Sequence, residues 1–213
     1  TGHNLVGAFF DFYYQAADPT FLYGYPITEE FVSVDGKLVQ YFQRARFEKD
    51  AAGNVLLTPL GTNTYIQGSG LEVNNPTACR YFAETRQSVC FDFLEFFEHN
   101  GGISQFGHPI SPFEYHDDLI VQYFQNTRLE WHPWMSEGQR VVIANLGRVY
   151  FDQIDEDPIY LDPVGPEDEN IIPEVLSLQV RGFMWKAVTQ STDEQLLFVI
   201  VQNQNLRPVE NVT

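Results

Sequence analysis

The chain repeats itself, and no other feature restricts its possible folds as much. Residues 1–13 (TGHNLVGAFFDFY) align with 85–97 (TRQSVCFDFLEFF), 23–28 (YGYPIT) with 106–111 (FGHPIS), and 39–48 (VQYFQRARFE) with 121–130 (VQYFQNTRLE). Leu60-Gly61 then aligns with Leu146-Gly147, and the offset stays between 82 and 86 throughout. Matched blocks in the same order read as a tandem duplication, sought first because a missed repeat misassigns a whole fold.

Each copy predicts the same local structure. Leu5, Phe9, Phe12 and Tyr13 form one helical stripe, as do Val89, Phe93, Phe96 and Phe97. Asn4 and Ser88 precede the stripes, where their oxygens are expected to cap free N–H groups. Asn100-Gly101-Gly102 and Asp18-Pro19 are expected to end the two helices. Residues 31–34 and 37–47 flank Asp35-Gly36 and read as a hairpin with a tight primed turn, for which Asp117-Asp118 is the weaker counterpart. Residues 55–60 or 141–146 supply a third strand. The expected class is α+β: two tandem repeats of a helix plus an antiparallel β-meander (1–70 and 71–150), an acidic Pro-rich linker (151–174), and an incomplete all-β, immunoglobulin-like segment (175–213).

Composition narrows the function. With 29 acidic against 12 basic side chains, the formal charge is −17, which disfavours nucleic acid and anionic lipid as partners. An apolar fraction of 44 % fills a core. No apolar run approaches the roughly 20 residues that span a bilayer, so membrane insertion is not expected. The chain opens on Thr rather than Met and shows no leader, the expectation for a mature product after export. Cys79 and Cys90, with ten residues between them, suit a local disulfide; two buried free thiols are the alternative.

The blocks FGxPI[TS], VQYFQxxR[FL]E and Arg80-Tyr81-Phe82-x-Glu84-Thr85 resemble tandem repeats in secreted surface proteins of Chloroflexi-type filamentous bacteria, and more distantly the LGFP repeats of actinobacterial cell-wall proteins. The resemblance covers residues 1 to about 150 and implies an extracellular, cell-surface location without catalytic residues. The LGFP tetrapeptide itself is absent.

After the second copy the composition changes. Residues 151–174 hold nine acids, no base and four prolines, a composition typical of stiff, solvated linkers. Asp155, Asp157 and Asp162 are weak calcium candidates there, because hard cations want carboxylate oxygens and no Asp-x-Asp-x-Asp-Gly loop is present. Beyond it, the apolar runs around Leu176–Val180, 183–188 and 196–201, with Arg207-Pro208-Val209, resemble part of a bacterial immunoglobulin-like domain. Such a sandwich takes about 100 residues. The segment is therefore expected to be completed either by chain continuing past Thr213 or by another molecule, with Leu196, Phe198, Ile200 and Val209 as the pairing residues.

Chemistry-bearing motifs are sparse. No Gly-x-Ser-x-Gly elbow, phosphate loop or His-Glu-x-x-His pair occurs. Glu48 and Glu130 each follow an arginine (Arg46, Arg128) and read as structural ion pairs rather than glycosidase acids. No cofactor and no catalysis are expected. The second copy departs from the first at Trp131-His132-Pro133-Trp134, a hairpin tip where Trp131 and Trp134, with Tyr115, form a candidate platform for sugar or protein. The expected function is a non-enzymatic structural subunit of a filament, surface layer or adhesin, assembling with copies of itself or another surface protein through its C-terminal strands; the alternative is a module binding cell-wall polysaccharide through exposed tryptophans.

Overall fold

Short apolar runs separated by turn residues fold into small elements, which a computed structural model describes for residues 2–73 and 75–165, with the backbone of 178–187 and 195–203. The chain divides into two compact units, Thr1–Gly165 and Pro166–Thr213. Helices and antiparallel sheets mix within it, as the α+β expectation requires. No helix among the described residues is long and apolar enough to cross a membrane.

In the first half, α1 (Gly7–Tyr13) buries Phe9 and Tyr13 of the predicted stripe. Asp18-Pro19 starts a further helix rather than ending one: the Asp18 carboxylate accepts the Phe21 N–H at 2.9 Å and Pro19 opens α2 (Pro19–Tyr23). Strands β1 (Phe31–Val32), β2 (Leu38–Tyr41), β3 (Arg46–Lys49) and β4 (Val55–Leu57) form an antiparallel sheet in that order. The run 37–47, expected as one strand, is thus two, folded at a turn where the Phe42 N–H meets the Ala45 carbonyl at 2.8 Å.

The chain continues through α3 (Leu60–Thr64), β5 (Ser69–Leu71), and the hairpin β6 (Cys79–Phe82) and β7 (Gln87–Cys90). Helix α4 (Phe91–His99) buries Phe93 and Phe97, and α5 (Gly102–Phe106) follows from the glycines expected to stop it. Strands β8 (Phe113–His116), β9 (Leu119–Tyr123), β10 (Arg128–Trp131) and β11 (Val141–Ile143) form the second sheet, ordered β11-β10-β9-β8-β5. The expected boundary at 70/71 falls inside β5, which belongs to this sheet. Turn chemistry is also reversed from expectation. Asp117 and Asp118 have φ of 48° and 65°, the two left-handed residues of a primed turn, whereas at Asp35-Gly36 only Gly36 is left-handed.

Neither Asn4 nor Ser88 caps a helix; α1 and α4 start from Val6 and Cys90 without side-chain caps. A buried glutamine uses these residues instead. The Gln40 side-chain amide donates to the Asn4 and Thr28 carbonyls at 2.7 and 2.9 Å, and that of Gln122 to the Ser88 and Ser111 carbonyls at 2.9 and 3.0 Å. The Thr28 and Ser111 hydroxyls accept the Tyr41 and Tyr123 N–H groups, both at 3.0 Å. Each glutamine thereby ties helix entry, Gly-x-Pro turn and central strand together, satisfying carbonyls that burial would otherwise penalise.

The halves then cross. Helix α3 follows the first sheet but lies on the second half's turn, and α6 (Leu146–Gln153) follows the second sheet but lies on the first half's turn. The Thr62 N–H donates to the Gln125 carbonyl at 3.0 Å, and the Gly147 N–H to the Gln43 carbonyl at 3.1 Å. Contact is so close that a Cβ on Gly61 would sit 1.8 Å from the Phe124 oxygen, and one on Gly147 1.8 Å from the Phe42 oxygen. Leu60, Leu146 and Ala144 are buried together between the helices; full burial stabilises each leucine by about 2 kcal/mol. Next along the helices, Tyr65 meets the Tyr123 ring edge-on at 4.9 Å and Phe151 meets Tyr41 at 5.2 Å.

Residues 151–165 are packed, not a free spacer. Phe151 is buried in α6, and Tyr160 stacks on Phe31 at 3.9 Å. Glu156, only 4 % exposed, accepts the Tyr41 hydroxyl at 3.0 Å and the Val34 N–H at 3.2 Å, and also bonds Ser33. Residues 166–174 lie outside the described residues. In the second unit, β12 (Leu178–Ala187) pairs antiparallel with β13 (Gln195–Asn203), setting Leu196, Phe198 and Ile200 opposite Lys186, Met184 and Gly182. Leu176, Val188 and Val209 lie outside the described residues.

Two predictions follow from the crossing. Gly61→Ala and Gly147→Ala each force backbone apart and should cost roughly 3 kcal/mol in urea unfolding. Gly70→Ala, whose Cβ meets nothing within 4 Å, should change stability by less than about 0.5 kcal/mol. Tyr65, pushed up to about 12 by burial and by its bond to the Glu114 carboxylate, stays neutral in the fold where the unfolded chain ionises. Its contribution is complete below the ordinary value of about 10 and is lost as pH rises toward 12. Unfolding curves between those limits should show a smaller decline in Tyr65→Phe.

Candidate functional site

The second half carries two features that its counterpart lacks, side by side in sequence. Cys79 and Cys90 face each other across β6 and β7 and form a disulfide with Cα atoms 4.1 Å apart. The aligned Val6 has no such link. Directly after Cys90, Phe91 opens α4 with φ of 54°. Gly7 opens α1 with φ of 57°, and the preceding residues match as well: Val6 at φ −134°, ψ 164° and Cys90 at φ −136°, ψ 159°. A Cβ on Gly7 would meet nothing within 4 Å. Glycine therefore serves the left-handed backbone at this position, not a close approach. A phenylalanine in that conformation is a steric outlier costing on the order of 1–2 kcal/mol, and the residue is 48 % exposed.

Phe91 lines a groove of about 580 Å³, within the range of roughly 300–1,000 Å³ seen for small-ligand sites. Sheet register explains much of its wall. Tyr115 of β8 pairs with Ile120 of β9, and Ile120 pairs with Trp131 of β10. Directly paired residues share a face, so the two aromatic side chains stand on the same side two strands apart, roughly 10 Å. Phe93 and Phe113, packed edge to face at 4.9 Å, close the bottom onto the core. Leu71, which β5 pairs with Phe113, and Val73 extend the lining, and Glu72, Asp92 and Arg140 add polar groups. A second hollow of about 510 Å³ shares Leu71, Val73 and Phe113 with the groove and carries Tyr81, Arg86 and Ser88.

Of the three predicted contact residues, the structure brings Tyr115 and Trp131 together and leaves Trp134 apart. Trp134 is 70 % exposed on the loop after β10, its ring edge against His132 at 4.9 Å. Trp131 is half-buried and packs on the second-half core while keeping a groove face. Phe91, Asp92, Glu72 and Arg140 escaped the sequence reading. The substitution of Phe91 for Gly7 stood in the alignment as the only signal. At the position aligned with Trp131, the first half has Lys49, whose ammonium lies 4.7 Å over the Phe9 ring and 3.2 Å from Glu30.

The remaining candidates are occupied by structural contacts. Arg46 is 1 % exposed and pairs with Glu48 at 3.1 Å and Asp35 at 2.7 Å. Burial opposes ionisation of Asp35, but Arg46, the Lys37 N–H and Ser33 together hold its carboxyl below the usual range. In the second half, Arg128 donates to Glu130 at 3.0 Å and to the Tyr123 hydroxyl at 3.0 Å, and His132 approaches Glu130 at 3.1 Å. Alternation along β10 sends Glu130 to the face opposite Trp131, away from the groove. Asp157 accepts the Ile159 N–H at 3.0 Å. Among the described residues, no group of three or more His, Cys, Asp or Glu is placed to hold a metal, and Asp155, Asp157 and Asp162 do not converge.

Comparison with known proteins gives no match to a family model, a curated protein or a solved structure.

Proposed function

We propose that the chain is a non-enzymatic, extracellular recognition module that binds carbohydrate of the cell-wall type in the groove beside Trp131. The row Tyr115–Ile120–Trp131 carries this reading: two aromatic side chains, fixed by strand register on one face, offer apolar surfaces to the C–H faces of a sugar ring. Arg140, Asp92 and Glu72 lie at the same groove and supply donors and acceptors for hydroxyl groups. The adjoining hollow gives room for a chain longer than one ring. A disulfide supports an oxidising, extracellular setting. The matched contacts of Gln40 with Gln122, and of Gly61 with Gly147, support a tandem duplication of the surface-protein repeat type.

A second reading has a separate observation behind it. The long antiparallel pair β12–β13 suits a segment that extends its sheet by pairing with another copy or another surface protein, as in filaments and adhesins, with an immunoglobulin-like completion.

Titration calorimetry against neutral oligosaccharides separates these readings. Trp131→Ala and Tyr115→Ala should each weaken binding by about tenfold, equivalent to roughly 1.4 kcal/mol. Trp134→Ala should leave it within about twofold, because that ring lies outside the groove. A wild-type chain that retains no neutral glycan, yet forms oligomers abolished by Phe198→Asp, would replace recognition with assembly.

A further inference from the structure

The carbohydrate reading leaves unexplained why the second half tolerates a phenylalanine where the first has glycine. We propose that Phe91 is a sugar-contacting residue of the groove, held in place by the Cys79–Cys90 disulfide, and that the site takes uncharged pyranose rings and binds them more tightly in its oxidised form. This rests on the carbohydrate reading and adds to it a ring class and a redox dependence.

Three observations converge. The backbone at Gly7 and Phe91 is the same, and the Gly7 slot opens into free space. A side chain added there projects away from the core, so the ring of Phe91 contributes surface to the groove at a conformational cost that packing does not demand. The residue before it is covalently fixed in the second half alone: Cys90 is bonded to Cys79 on the neighbouring strand, whereas Val6 is not. A fixed Cys90 restricts the helix start and therefore the direction in which Phe91 leaves the backbone, lowering the ordering cost of binding. These two changes accompany the exchange of Lys49 for Trp131: Phe91 and Trp131 line the groove itself, and the disulfide lines the hollow that adjoins it.

Charge selects the ring class. Two carboxylates, Glu72 and Asp92, stand against one guanidinium, Arg140, at the groove, and the chain carries −17 overall. Uronic acids and other anionic sugars are repelled, while hydroxyl groups find both donors and acceptors.

The test uses the full oxidised chain with cellotriose, N-acetylated chitotriose and an oligogalacturonate as probes. At least one neutral probe should bind, and the anionic one should bind at least tenfold more weakly. Phe91→Ala and Phe91→Gly should both lose about tenfold in affinity, and Phe91→Tyr should restore it to within about twofold of wild type. Phe91→Gly should melt about 2–4 °C above Phe91→Ala, because both lack the ring and only glycine relieves the backbone. Reduction of the disulfide should weaken binding at least threefold while the circular dichroism of the fold persists. The proposal is overturned if Phe91→Ala and Phe91→Gly bind like wild type while Trp131→Ala does not, an outcome that leaves the carbohydrate reading standing. It is equally overturned by preference for the anionic probe, by equal melting of the alanine and glycine variants, or by undiminished binding after reduction. A wild-type chain that binds no probe overturns both.

Discussion

Two backbone contacts that admit no side chain organise this molecule. At Gly61 and Gly147, the start of a helix lies directly against a turn carbonyl of the opposite half. Because the contact is reciprocal, neither half completes itself. The first half's helix covers the second half's turn and the second half's helix covers the first's, with Leu60 and Leu146 sealed between them. The groove inherits this arrangement. Crossing by α3 carries β5 to the edge of the second sheet, and β5 with the residues after it forms one wall of the site. The matching crossing by α6 delivers Glu156 and Tyr160 to the first sheet.

The two ends of the crossing solve the same electrostatic problem with different residues. A buried carboxylate meets a tyrosine hydroxyl in each half: Glu156 with Tyr41, and Glu114 with Tyr65. Both acids are nearly inaccessible, at 4 % and 1 %, and each takes a backbone N–H as well, from Val34 and Gly68. Buried carboxylates are tolerable only when so supplied with donors. The halves differ in their cations. Arg46 is buried in a web with Glu48 and Asp35, while Arg128 is more open and leans on Tyr123. On the other face, Lys49 of the first half pairs with Glu30 and covers Phe9, where the second half presents Trp131 to the groove.

Much of the local structure was legible because it depends on spacing. The later parts of the stripes, Phe9 to Tyr13 and Phe93 to Phe97, the hairpin tip beyond Trp131 and the α+β class follow from periodicity and turn residues, whereas Leu5 precedes α1 and Val89 lies in β7. What escaped was tertiary. Asn4 and Ser88 are good caps by residue type, but the helices start two residues later, from Val6 and Cys90, and what Asn4 and Ser88 give instead is a backbone carbonyl to the buried amides of Gln40 and Gln122. The acidic composition of 151–165 suggested solvation, yet Glu156 is the partner the first sheet needs. Leu60-Gly61 and Leu146-Gly147 stood out as a matched pair, but a dipeptide does not say that it docks on the opposite half. In the site, Trp131 was visible as an aromatic at a tip with Tyr115 beside it, while Phe91 was hidden because a phenylalanine next to a helical stripe gives no sign of its positive φ.

Native-state hydrogen exchange tests the reciprocal crossing most directly. The amides of Thr62 and Gly147 carry the crossed bonds, and those of Tyr41 and Tyr123 sit at the centres of the two sheets. If the halves stand or fall together, all four amides exchange only through global unfolding, with one common free energy. Protection that differs between the Tyr41 and Tyr123 amides by more than about 1 kcal/mol, with Thr62 and Gly147 exchanging far faster than either, would show two independently stable halves and contradict the account.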